Sequence, residues 1–163
     1  MAKDIPIYSV VAYSGTGKTT LLEKLIPEFK RRGVRVAVVK HDAHEFEIDH
    51  EGKDSWRMTQ AGADVTIVAC QSHAAIMENR YVDTETLLSR VTDVDLILTE
   101  GFKHGSYPKI GVFREAAGKP LPDVEGGYLA VLSDVPLQID TPRLDINDIA
   151  GLADLILLDM QKT

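Results

Sequence analysis

The sequence predicts an α/β protein: a mainly parallel sheet flanked by helices in three layers, with an antiparallel hairpin extension. Two observations carry this. Short, continuous apolar runs rich in β-branched residues alternate with segments of helical spacing along the whole chain. The first such alternation has the length of a strand, a crossover helix and a second strand, which sets the two strands parallel in one sheet.

Ile5 to Tyr13 is apolar and β-branched and ends at Gly15 and Gly17, so it reads as a buried strand running into a loop. Lys18 to Arg32 follows with Leu21, Leu22, Leu25, Ile26 and Phe29 on one helical face, and Gly33 stands where a C-terminal cap belongs. Pro27 lies inside this helix and is expected to kink or shorten it. Val34 to Val39 is the second strand. Lys40 to Gly52 is polar, with weak alternation at Phe46 and Ile48, and reads as a hairpin or an ordered loop. Lys53 to Ala61 is a short helix ended by Gly62. Val65 to Cys70 and Ala74 to Met77 are strands. Asp83 to Val91 is a helix with Asp83 or Thr84 as its cap. Val94 to Thr99 is a strand that ends at Glu100-Gly101. Lys109 to Arg114 and Tyr128 to Leu132 are strands joined by a Gly- and Pro-bearing connection. Asp145 starts the last helix, with Asp145 and Asp148 spaced as a capping pair. No repeat or linker divides the chain, so residues 1–163 are expected to form a single domain.

Composition narrows the function classes. The 163 residues are 44% hydrophobic and 26% charged, ordinary globular values. The net charge of −7 gives no overall electrostatic reason to seek nucleic acid or a membrane surface. Lys30, Arg31, Arg32 and Arg35 form the one basic cluster, read as a solvated helix end that complements the dipole. Cys70 is the only cysteine, which rules out an internal disulfide and suits a reducing compartment. It closes an apolar run and reads as a buried structural thiol. Met1 to Asp4 carries no apolar signal core, and no apolar run is long enough to span a bilayer, so the expectation is a cytoplasmic protein.

The segment Ala12-Tyr13-Ser14-Gly15-Thr16-Gly17-Lys18-Thr19 carries the chemistry. A polyphosphate needs many donors aimed at one point. A Gly-rich turn entering a helix supplies successive backbone N–H groups, and the helix N-terminus adds partial positive charge. Lys18 can reach the outer phosphates and the Thr19 hydroxyl can hold Mg²⁺. Strand, turn, lysine, hydroxyl and amphipathic helix stand in the required order, so the fold is read as a P-loop NTPase fold. Ser14, Gly15, Thr16, Gly17, Lys18, Thr19 and Thr20 are the candidate nucleotide contacts. The first position of the pattern, usually glycine, is Ala12, which is tolerable only where φ stays negative.

A second acid belongs at the end of a neighbouring strand, where it helps hold Mg²⁺. Glu100 stands there, after Leu96-Ile97-Leu98-Thr99, and is the candidate metal and catalytic carboxylate. Lys103 either contacts phosphate or is simply exposed. His41 to His50 holds three histidines and four acids without a metal-ligand spacing, and reads as a switch-like loop. Within it Asp42 or Asp49 could orient water or a metal-bound water near the γ-phosphate, and the other reading of Asp42 is a turn-forming residue that accepts backbone N–H bonds.

These residues carry a resemblance. The loop Tyr13 to Thr20, the run Lys40-His41-Asp42-Ala43-His44, the stretch Phe46 to Ser55, Thr99-Glu100-Gly101-Phe102-Lys103, Leu132-Ser133-Asp134 and Leu144 to Asp154 resemble the molybdopterin-guanine dinucleotide biosynthesis protein B (MobB) family. The resemblance runs over nearly the whole chain, and Asp49 to Ala63 is its most specific part. It implies a GTP-binding protein with weak GTPase activity that assists molybdenum cofactor guanylyltransferase in attaching GMP to molybdopterin. It also implies a homodimer built around an extended sheet. Carried over by position, Lys18 to Thr20 and the two glycines bind phosphate, Thr19 and Glu100 hold Mg²⁺, and Asp134 either reads the guanine or is a strand-end turn residue.

Two other functions fit the same loop. A small-molecule kinase needs an Arg-rich lid, whereas Arg57, Arg80, Arg90 and Arg114 are scattered. A nucleotide-dependent binding module without useful catalysis would use the nucleotide to order the His-rich loop for partner docking.

Overall fold

A computed structural model describes residues 5–41 and 44–162. In chain order the elements are β1 (Ile7–Val11), α1 (Lys18–Arg31), β2 (Val36–Lys40), α2 (Asp54–Gln60), β3 (Val65–Ala69), β4 (Ala74–Glu78), α3 (Thr84–Ser89), β5 (Leu96–Glu100), β6 (Lys109–Phe113), a 3₁₀ turn (Glu115–Ala117), β7 (Ala130–Ser133), β8 (Arg143–Asp145) and α4 (Ile149–Met160). They fall into two units, residues 1–41 with 93–163 and residues 42–92.

The first unit is a six-stranded sheet in the order β2-β5-β1-β6-β7-β8. Every pairing in it is parallel, as the crossover argument requires. Tyr8, Val10, Leu96, Leu98, Ile110, Val112, Ala130 and Leu132 share one buried cluster with α1 and α4. In α1 the cluster takes Leu21, Leu22, Leu25 and Phe29, the stripe seen in the sequence. Residues of the opposite sheet face are buried too, among them Ser9, Ile97, Thr99 and Lys109. Burial on both faces is why these strands read as unbroken apolar runs rather than alternating ones. Gly111 leaves room on that face: a Cβ there would stand 3.0 Å from the Tyr128 ring and 3.1 Å from Leu121.

Helix α1 continues through Pro27 to Arg31, and Gly33 adopts φ 78° just beyond it, the left-handed turn that ends helices. The basic cluster serves that end. Arg31 and Arg32 both pair with Glu28, and Arg32 reaches Asp154 of α4. Arg35 instead grips Asp95 with its backbone N–H and its guanidinium, pinning the starts of β2 and β5 together.

The second unit holds α2, α3 and the antiparallel pair β3–β4, which is the expected hairpin. Thr59 of α2 bonds Thr66 of β3 through their hydroxyls at 2.8 Å. Asp83 caps α3 by accepting the Thr86 N–H at 2.8 Å. Residues 44–50 form no regular strand.

Three expectations are corrected. Cys70 is exposed, because the apolar run before it lies on a two-stranded sheet with one open face. Asp145 ends a short strand, β8, that three residues of weak pattern could not announce, and its side chain turns the chain by accepting the Asn147 N–H. The last helix therefore starts at Ile149, capped by Asp148 alone through the Gly151 N–H at 2.9 Å.

Candidate nucleotide-phosphate site

Parallel register brings the site together. Lys40 of β2, Glu100 of β5 and Val10 of β1 lie abreast, so the loops beyond them open at one edge of the sheet. Ligands in such sheets collect outside the carboxyl ends of the strands. Ser14 to Gly17 leave β1 at that edge, and Gly15 and Gly17 take φ 78° and 107°. Those values suit glycine and would strain other residues. Ala12 needs no such freedom, since among the described residues only Asp93 and Phe102 are non-glycine positions with positive φ. Alanine at this position therefore costs the loop nothing.

Lys18 opens α1, and its ammonium donates to the Ala12 carbonyl at 2.7 Å. Burial holds this lysine below its ordinary pKa; the Glu100 carboxylate works the other way, and Lys119 and Lys40 add to the lowering. The Thr19 hydroxyl lies 3.1 Å from each carboxylate oxygen of Glu100. Thr16 is buried and its hydroxyl has no partner among the described residues. The Thr19 hydroxyl and the Glu100 carboxylate form a hard oxygen donor set of the kind Mg²⁺ takes alongside waters and phosphate oxygens.

Around this centre the loop after β5 folds back: the Lys103 ammonium stands 5.8 Å from the Tyr13 ring centroid, and the Phe102 ring meets His41 in a tilted contact, centroids 5.1 Å apart. Asp134, at the end of β7, accepts the Glu115 N–H at 3.0 Å. One of its oxygens thus ties the 3₁₀ turn after β6 to the end of β7. Asp42 lies outside the described residues.

Two cations at this edge escaped the sequence reading. Arg114 packs on Gly17, and the Lys119 ammonium donates to the Ser14 carbonyl at 2.5 Å. A strand-order argument could have found the first, since β6 pairs with β1 and must end beside the loop. Lys119 sits in a patternless connection and gave no signal.

Sheet order, the Gly-rich turn into α1 and the strand-end carboxylate define the class, a protein of P-loop NTPase fold. Comparison with known proteins narrows it. The family described as "Molybdopterin guanine dinucleotide synthesis protein B" matches residues 7–134. The chain is 46% identical to the molybdopterin-guanine dinucleotide biosynthesis adapter protein of Escherichia coli strain K12, over 97% of this chain and 95% of that one. It is also 46% identical to the protein of the same description from Haemophilus influenzae, over 96% and 90%. Among solved structures, Bacillus subtilis MobB superposes with a TM-score of 0.76 at 29% identity, covering 94% of this chain and 97% of that one. The chain belongs to the MobB family.

Proposed function

We propose that the protein is a GTP-binding adapter of molybdopterin-guanine dinucleotide synthesis with weak, Mg²⁺-dependent GTPase activity, working beside molybdenum cofactor guanylyltransferase in the cytoplasm. One observation carries this most: Thr19 meets Glu100 at the start of α1, directly after the turn in which Gly15 and Gly17 take positive φ and Lys18 donates back to the Ala12 carbonyl. The adapter role is supported by relatives that carry that description over nearly their whole length. Among the described residues no helix is long and apolar enough to cross a membrane.

In this reading the backbone N–H groups of Gly15 to Thr20 take the phosphate oxygens, and Lys18 exchanges the Ala12 carbonyl for the outer phosphates. Thr19 and Glu100 hold Mg²⁺, which supplies charge neutralisation on the β- and γ-oxygens. Asp134 accepts from the guanine N1–H and 2-amino group with its two carboxylate oxygens, Oδ1 using the lone pair that the Glu115 N–H leaves. Asp42 orients the attacking water. Slow hydrolysis fits a site whose purpose is to hold nucleotide for a partner.

The second unit supports a homodimer. Ile67 and Ile76 face each other across β3–β4 and are 65% and 68% exposed, a surface fit for a second copy. Calorimetric titration with GTP, ATP and GDP, each with and without Mg²⁺, tests the central reading. GTP is expected to bind more tightly than ATP, with Mg²⁺ strengthening it. Preference for ATP, or phosphate transfer to a small alcohol, would return the kinase reading to the front.

A further inference from the structure

Arg114 follows directly on β6, and β6 pairs with β1 through Ser9↔Lys109, Val10↔Ile110 and Val11↔Gly111. The two strands leave the sheet side by side, so Arg114 emerges next to the phosphate loop rather than over some other part of the edge. Its guanidinium lies against the α-carbon of Gly17. A Cβ at Gly17 would stand 2.9 Å from Nε and 3.6 Å from both Cζ and Nη2. Gly17 is thus glycine for two reasons, its φ of 107° and the space that Arg114 fills.

The guanidinium is not satisfied where it rests. Its Nε is buried with no hydrogen-bond partner, and among the described residues no carboxylate pairs with it. Arg31, Arg32, Arg35, Arg80 and Arg90 each have a carboxylate; Arg57 and Arg143 have none among the described residues either, but only Arg114 has a guanidinium nitrogen that is both buried and without a partner. A buried donor on a cation with no acceptor costs free energy, and such a group calls for an acceptor that the protein alone does not provide. The segment that presents it is tied to the site twice, by the Glu115 N–H on Asp134 and by the Lys119 ammonium on the Ser14 carbonyl. Those ties hold residues 114–119 along the loop before any nucleotide arrives. A planar fork of donors beside the Gly17–Lys18 peptide matches two oxygens of a phosphate chain.

We propose that Arg114 is a nucleotide-phosphate ligand, delivered in cis by residues 114–119 and recognising the polyphosphate chain whatever the base. This rests on the phosphate-loop reading above. The missing acceptor of Nε is then a phosphate oxygen, and Gly17 is the opening through which the guanidinium reaches it.

Calorimetry on the full chain with Mg·GTP and Mg·GDP tests this, using Arg114→Ala, Arg114→Lys and Lys18→Ala. Arg114→Ala is expected to weaken both nucleotides by about tenfold or more, the effect of losing one charge-assisted contact. Arg114→Lys keeps the charge and should recover part of the loss, and added guanidinium ion should partly restore Arg114→Ala. A residue that merely packs on Gly17 would respond to neither. Wild-type affinity in Arg114→Ala, or a loss insensitive to both lysine and guanidinium, overturns the proposal. If Lys18→Ala loses binding while Arg114→Ala keeps it, only the role of Arg114 fails. If the wild-type chain binds neither nucleotide, the phosphate-loop reading fails and this one with it.

Discussion

The Thr19 hydroxyl stands equidistant from both carboxylate oxygens of Glu100, at 3.1 Å from each. One proton cannot serve two acceptors at full strength, and in the proposed function the pair separates around Mg²⁺. Glu100→Gln keeps an acceptor for Thr19 and removes the charge. GTP affinity with Mg²⁺ is expected to fall by about tenfold, the equivalent of one charge-assisted contact. Affinity without Mg²⁺ should stay level or rise, because a negative charge near the phosphates has gone. Calorimetry with and without the metal reads both, and an equal loss in the two conditions would deny Glu100 a metal role.

Lys18 sets function against stability. Its burial disfavours the ammonium, so its pKa in the fold lies below the ordinary lysine value. Below that depressed pKa both states are charged and the penalty on folding is present in full. As pH rises from there toward the ordinary value, the folded protein sheds its proton first and the penalty fades. Lys18→Met should therefore raise the melting temperature of the nucleotide-free protein at neutral pH, by on the order of a degree or two. That gain should shrink toward pH 10. GTP affinity should fall at least about tenfold. A variant that melts lower than wild type at pH 7 and binds GTP normally would contradict the account on both counts.

Asp148 and Gly151 act as one device at the start of α4. Asp148 Oδ1 accepts the Gly151 N–H at 2.9 Å, and a Cβ on residue 151 would come within 2.3 Å of Oδ2. Asp148→Ala should cost about 1 kcal/mol, the usual value of an N-cap. Gly151→Ala should cost a similar amount despite the better helix propensity of alanine, because the methyl displaces the capping carboxylate. The double variant should cost much less than the sum, which denaturant titration measures directly. Additive losses would mean that the two residues act separately.

Cys70 is exposed, with Ser72 Oγ at 3.4 Å and His73 Nδ1 at 3.1 Å from its sulfur. Hydrogen bonding from the Ser72 side chain first, then from the Ser72 and His73 backbone, holds the thiol below its usual pKa. The thiolate is the nucleophile, so alkylation by iodoacetamide at pH 7 should be faster than for a free thiol and severalfold slower in Ser72→Ala. The two rates should converge once the pH exceeds the ordinary thiol value. A pH profile unchanged by Ser72→Ala would remove hydrogen bonding as the cause.

That same cysteine shows where sequence reading stops. Periodicity reports which residues want to be buried, and in the parallel sheet the wish is met: Leu96, Leu98, Ile110 and Leu132 are all fully enclosed. Val65 to Ala69 carries the same apolar signal, yet β3 pairs only with β4, and a two-stranded sheet has one face to spare. No count of apolar residues along a chain distinguishes these cases. The glycine turn into α1 was legible because Gly15 to Thr19 form one unbroken run between an apolar strand and an amphipathic helix. Glu100 was legible because strand ends share an edge. Arg114 and Lys119 reach the loop only through the sheet order, β6 beside β1, and that order is a property of the folded chain. The strand β8 was missed because three residues seldom outweigh the turn residues around them.

The open face of β3–β4 yields the remaining prediction. Ile67 and Ile76 are register partners, so their side chains leave the hairpin on the same face, with Val65 36% exposed beside them. The opposite face carries Thr66, buried against α2 through Thr59. Solvating one face of this hairpin wastes apolar area that a second copy could cover, at about 1.5–3 kcal/mol for each isoleucine fully enclosed. A twofold interface uses each residue twice, so Ile67→Lys introduces two charges at once. Sedimentation should show a dimer for the wild-type chain and a monomer for Ile67→Lys at the same micromolar concentration. Nucleotide affinity should be retained if that variant remains folded, since residues 14–20 lie in the other structural unit. A monomeric wild type, or a variant that still dimerises, would show that this face is covered in some other way.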